Sequence, residues 1–264
     1  MISVITPVFN GERFIESCIL NVINQNCQTY EHIIIDGGST DGTISIIEKY
    51  SAEYPNIIWS SQKDRGQSDA MNKGVAMANG EIIGFLNVDD YYEPGVLNRV
   101  SEIFPDLPEP SLIVGNCNVW DNDGNLLYVN KPSKLNIRDL LMGNDINPHP
   151  VNPSAYFYHK SLHNKIGNYD INENFALDVD FLFRAVQVAN IEYFNELWGN
   201  YRFLEGTKTY CDQASKMNKR RMKKLYNKFL KEQPFKMQLY ILFTSNFLFF
   251  SNLVNRGLKK YFRN

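Results

Sequence analysis

At 264 residues the chain is long enough for one large core, and its composition, 44% hydrophobic and 21% charged, argues against a disordered or repeat protein. The net charge of −2 hides an asymmetry: residues 1–215 carry about −14 and residues 216–264 about +12, so the acidic body argues against a nucleic-acid partner and the basic end suits an anionic surface. Four scattered cysteines without a C-x-x-C pair argue against a disulfide framework or a zinc site, and no basic stretch followed by an apolar run opens the chain, so a reducing, cytoplasmic setting is expected.

Ile2 to Pro7 is a short β-rich apolar run, read as a buried strand and broken at Asn10-Gly11. Glu12 to Asn24 has apolar residues at helical spacing. His32 to Ile35 predicts a second strand ending at Asp36-Gly37-Gly38, Thr43 to Tyr50 a second helix, and Ile57 to Ser60 a third strand. Ser68 to Ala78 predicts a helix closed by Asn79-Gly80, and Glu81 to Leu86 a fourth strand running into Asn87-Val88-Asp89-Asp90. This alternation implies an α/β fold with a mostly parallel central sheet flanked by helices. Further on, strands are expected at Leu112–Trp120, Leu126–Val129, Ala155–Tyr158, Ile191–Phe194 and Trp198–Phe203, and helices at Ile137–Met142 and Asp178–Ala189. Past Ser215 the composition turns to basic helix formers, which marks a boundary.

The carboxylates fall at strand ends: Asp36, Asp64, and the pair Asp89-Asp90. In an open α/β sheet the ligand lies beyond those ends, so the acids converge on one rim. Each could instead begin a turn or cap a helix, and for Asp41 capping is the better reading. Adjacent Asp89 and Asp90 suit a hard divalent cation, Mn2+ or Mg2+, which binds diphosphate oxygens as well. No P-loop and no G-x-G-x-x-G follows the first strand, which argues against a P-loop nucleotidase and a dinucleotide enzyme.

Ile2-Ser3-Val4-Ile5-Thr6-Pro7-Val8-Phe9-Asn10, Asp36–Thr43, Asp64–Gly74 and Gly84–Asp90 together resemble the ordered motifs of family 2 glycosyltransferases. Ser161–Asp170 resembles that family's acceptor-side segment and Leu177–Arg184 its catalytic-helix start, so the resemblance covers about residues 2–205. The closest branch assembles bacterial O-antigen, capsule or colanic-acid-like exopolysaccharide. The resemblance implies a GT-A (Rossmann-like) domain over 1–215, with a nucleotide-sugar half to about 110 and an acceptor half beyond it. It implies an inverting transfer from a nucleotide-diphosphate sugar, UDP by default, to a glycan or lipid-linked oligosaccharide acceptor. Pro7 would lie near the base, Asp36 would accept a hydrogen bond from it, and Asp64 would hold the nucleoside. Asn10, Glu12, Arg65, Asn72, Lys73 and Asn87 would complete the donor site. Asp89 would face the ribose or sugar and share a metal for which Asp90 would be the direct ligand. Asp178 matches the general base.

Asn87 stands where many members carry the first acid of D-x-D, which weakens the case for a metal. His149, in a Pro-rich loop, and Asp180 are candidate acceptor or phosphate contacts; local hydrogen bonding for His149 and helix-dipole charge for Asp180 are the alternatives. Asn87 also keeps open a non-catalytic nucleotide- or carbohydrate-binding scaffold. A sugar-1-phosphate nucleotidylyltransferase is disfavoured because Ile5–Arg13 offers one Gly and one Arg for a triphosphate.

Residues 216–264 read as a basic amphipathic helical extension. Met237 to Val254 is apolar but interrupted by Gln238, Thr244, Ser245, Asn246, Ser251 and Asn252, too polar to expect a transmembrane span. An interfacial helix on the inner face of the plasma membrane fits. The alternative is a helix packed on the catalytic domain, or on a second copy in a homodimer.

Overall fold

The β-branched run Ile2–Val8 forms β1, inserted between two parallel neighbours: β2 (Tyr30–Asp36) on one side and β4 (Ile82–Phe85) on the other. The computed structural model describes residues 1–144, 146–173, 175–207, 209–211 and 217–244. β3 (Ile57–Ser61) extends the parallel set beyond β2. Buried on both faces, these strands need an unbroken apolar sequence, which Ile33, Ile34 and Ile35 supply. The connecting helices are α1 (Glu12–Ile23), α2 (Thr43–Glu53) and α3 (Gln67–Met77). Gly74 lets α3 lie close on the sheet, since a Cβ there would come within 2.3 Å of the Ile5 side chain.

After β4 come β5 (Tyr91–Tyr92) and α4 (Val96–Ile103), then β6 (Ser111–Trp120), β7 (Leu126–Asn130) and the short α5 (Ile137–Leu140). β8 (Tyr156–His159), α6 (Leu162–Ile166), α7 (Leu177–Ala185) and β9 (Asn190–Arg202) follow. The nine strands form one sheet in the order β3-β2-β1-β4-β8-β6-β9-β5, with β7 paired to β6. β8 runs antiparallel to both β4 and β6, while β9 runs parallel to β6.

Two late strands were expected where one long strand is found. β9 runs unbroken through Asn195-Glu196-Leu197, and its pairing with β6 absorbs register shifts around Asn116. Its length carries Arg202 to the carboxyl end of the sheet.

The basic extension contributes α8 (Met217–Lys231) and a helical stretch at 235–244. Leu225, Phe229 and Ile241 are buried in the same apolar cluster as Leu177, Phe181 and Phe183. Among the described residues, then, the packing alternative for the tail holds. The boundary expected at Ser215 and the apolar segment 245–254 lie outside the described residues.

Candidate active site

Antiparallel pairing of β4 with β8 sets the site. Gly84 faces Phe157, so the start of β8 lies against the carboxyl end of β4. The acids that follow β4 are thereby brought to the same edge as Asn152, just before β8, and Tyr156, its first residue. Gly84 is required there, because a Cβ would meet the Phe157 ring at 2.5 Å.

Asp90 is buried and turned into the protein. One carboxylate oxygen accepts from Asn87 Nδ2 at 2.9 Å and Asn152 Nδ2 at 2.7 Å, the other from the Arg202 backbone N–H at 3.0 Å. Burial, and next the charge of Asp89, hold its carboxyl well above the usual range. Its oxygens accept from internal donors, whereas Asp89 beside it is partly exposed. Burial also raises Asp89, and the Arg202 guanidinium nearby opposes that rise. Asn87 donates to Asp90 while its oxygen accepts from Gln67 Nε2 at 3.1 Å. An acid at this position would set two carboxylates against each other, so the departure from D-x-D has a structural reason.

Asp36 is fully buried and accepts from the backbone of Gly38 and Ser39 and from the hydroxyls of Ser39 and Ser61. These bonds hold the β2–α2 loop. Asn10 and Glu12 bind the same loop: Asn10 Oδ1 accepts from Thr40 N–H and Glu12 Oε2 from Gly42 N–H. Asp41 accepts from the Thr43 N–H and hydroxyl and from the Glu12 N–H, while Gly42 is the N-cap of α2. Pro7 is half-buried near the end of β1. Asp64 accepts from Gly66 N–H at 2.8 Å and leans over Gly37, where a Cβ would come within 2.7 Å of its Oδ2.

Asn72 ties α3 to the loop after α6. Its side chain brackets Tyr169, donating to the carbonyl and accepting from the N–H at 2.9 Å each. Arg65 and Lys73 both pair with Asp69, at 3.5 and 3.6 Å.

Asp178 opens α7, half-exposed, and accepts from Tyr156 hydroxyl at 3.0 Å. Through Tyr156 it shares the edge that carries Asp89. Asp180 is buried and ion-paired to Arg184 at 2.8 Å and Lys228 at 3.0 Å. His149 is half-buried, with Nδ1 3.0 Å from the Pro150 carbonyl, and burial lowers its pKa. Nδ1–H donating to that carbonyl would leave Nε2 as an acceptor.

Arg202 was not anticipated. Its Nε donates to the Asp89 carbonyl and its guanidinium lies 5.0 Å from the Phe14 ring centre. The expected strand Trp198–Phe203 already contained it, but the strand-end reading was applied to carboxylates and not to cations. Among the described residues no cluster of three or more His, Cys, Asp or Glu could hold a metal by itself. A divalent cation there would rest on Asp89 and complete its shell with phosphate and water.

A family model described as Glycosyl transferase family 2 matches residues 3–166. An uncharacterised glycosyltransferase of Mycobacterium tuberculosis is 33% identical over 190 residues, 71% of this chain and 70% of that protein. Among solved structures, S. aureus TarS 1-349 in complex with UDP-GlcNAc is similar with a TM-score of 0.64 at 20% identity, covering 79% of this chain and 60% of that one. The mannosyltransferase PcManGT from Pyrobaculum calidifontis, in complex with GDP-Man and Mn2+, has a TM-score of 0.58 at 16% identity, covering 79% of this chain and 58% of that one. At these identities the two structures speak for the shared fold, and the chain spans about three-fifths of each.

Proposed function

The chain belongs to glycosyl transferase family 2, and from that premise we propose that it is an inverting glycosyltransferase. It moves a sugar from a nucleoside-diphosphate sugar to a hydroxyl of a growing cell-surface glycan. The observation that carries this reading is the shared edge of Asp89 and Asp178: a carboxylate beside Arg202 on one side, and a helix-opening carboxylate held by Tyr156 on the other.

Asp178 takes the acceptor hydroxyl's proton as that oxygen bonds to the anomeric carbon. The bond from that carbon to the diphosphate oxygen breaks, and configuration inverts. Tyr156 orients the base. Arg202 faces the departing diphosphate and offsets its charge. Asp64 holds the nucleoside in the half of the domain that runs to about residue 110. Asp89 would hold Mn2+ or Mg2+, which when bound neutralises charge on the diphosphate.

UDP is the expected nucleotide, in line with the UDP-GlcNAc bound by TarS. A lipid-linked acceptor is supported by the extension. Phe235 and Phe243 on the 235–244 stretch are 71% and 74% exposed, and Lys219, Arg220, Lys223, Lys224 and Lys231 of α8 are exposed with them. Exposed cations and exposed aromatic side chains on one extension suit the surface of an anionic bilayer, and hence a peripheral site on the inner leaflet. No helix among the described residues is long and apolar enough to cross a membrane.

The test is a panel of sugar nucleotides, offered with lipid-linked and soluble acceptors, with and without EDTA. Release of nucleoside diphosphate from one donor, with inversion at the anomeric carbon, is expected. Absence of release from every donor in the presence of Mn2+ would refute the reading and favour a binding scaffold.

A further inference from the structure

We propose that α8 positions the catalytic helix, with Lys228 and Arg221 as the positioning residues that hold the segment presenting Asp178. The inference rests on the assignment of Asp178 as base.

The contacts bracket that residue. Two positions after it, the Asp180 side chain is 8% exposed and is paired to Arg184 within its own helix and to Lys228 of α8. Arg184 already offsets the charge of Asp180, so the second cation, coming from a separate element, adds a tie between helices. Three positions before Asp178, the Arg221 guanidinium lies 3.6 Å from the centre of the Phe175 ring. Phe229 stacks on Phe183 at 4.9 Å between ring centres with an interplanar angle of 14°, and Tyr226 meets the same ring edge-on at 5.2 Å.

The nucleotide side reaches the same segment independently. Ser68 of α3 donates to the Glu173 carbonyl, and Glu173 Oε1 accepts the N–H groups of Phe175 and Ala176. Asp178 thus sits where a strap from the donor half and a clamp from the tail meet, with Tyr156 beneath it. Displacing a reacting group by about 1 Å can cost about 10²-fold in rate. A clamp that fixes the start of α7 therefore bears on turnover more than on donor binding.

The experiment uses the full chain carrying Lys228→Gln, Lys228→Arg or Arg221→Gln. Three readouts are taken: turnover on the donor selected by the panel, UDP affinity by calorimetry, and hydrogen exchange of peptides spanning 173–185. Lys228 is half exposed, so a merely structural role leaves turnover and melting temperature near wild type. The proposal expects Lys228→Gln to lower kcat about tenfold or more, with UDP affinity changed less than twofold. Exchange in 173–185 should quicken, Arg221→Gln should act in the same direction, and Lys228→Arg should regain most of the activity. Wild-type turnover in both glutamine variants overturns it. If wild-type protein releases nothing from any donor, the proposed function fails instead, and exchange still decides the clamp: unchanged exchange in both glutamine variants overturns it.

Discussion

At the scale of single residues, the site depends on which carboxylates are spent inside the protein. Asp36 and Asp90 are buried and surrounded by donors, while Asp64, Asp89 and Asp178 remain half-exposed at the rim. Asp89→Ala should therefore remove most of the tightening of UDP binding by Mn2+, measured by calorimetry with and without EDTA. Asp90→Asn should keep most of it, because Asp90 faces the protein interior; the amide loses one of the two acceptor oxygens, so the cost should fall on stability instead. The reverse order would return the ligand role to Asp90.

One buried and one half-buried histidine set an acid limit. Burial lowers His163 to about 4 and His32 to about 3. Their folded values lie below the unfolded value near 6.5, so the unfolded chain gains protons first as pH falls. The stability these neutral rings contribute is complete above about pH 6.5 and is lost between there and about pH 3–4. Thermal melts from pH 7.5 to 4 should show a falling Tm, with a shallower fall in His163→Gln. An unchanged slope in that variant would remove His163 from the account.

At the scale of elements, the parallel half of the sheet was legible because strands buried on both faces must be continuously apolar, as Ile33 to Ile35 are. The second half was less so. The helix at 96–103 and the two-residue strand at 91–92 went unanticipated. The last strand was split because Asn195, Glu196 and Leu197 do not read as strand; the partner strand β6 imposes the pairing there. For the candidate site, position at strand ends grouped the acids at one edge, but did not tell which acid turns inward. That depends on Asn152 and Arg202, which are 62 and 112 residues from Asp90 in sequence and adjacent only in the fold. Asn72 carried a family motif position yet serves Tyr169, 97 residues away.

The same long-range logic makes α8 part of the body. Phe229 is buried against Phe183, so Phe229→Ala should destabilise by about 3–5 kcal/mol, read from urea unfolding. A loss below about 1 kcal/mol would mean that the helix is only loosely applied.

At the scale of the whole molecule, an acidic body and a basic extension give the protein two ends of opposite character. Under the proposed function, the exposed Phe235 and Phe243 and the cations of α8 would meet an anionic lipid surface. Replacing Phe235 and Phe243 with Ser should weaken co-sedimentation with anionic vesicles while leaving UDP affinity unchanged. No co-sedimentation by the wild-type chain at low salt would make the extension a packing element alone.

The central claim is that this fold performs inverting sugar transfer with Asp178 as the base. The most direct measurement compares wild type and Asp178→Asn for turnover of the selected sugar nucleotide and for UDP affinity. Turnover should fall by about 10²–10⁴-fold, the usual cost of losing a general base, with UDP binding within about twofold of wild type. A folded Asp178→Asn protein that turns over at the wild-type rate would contradict it.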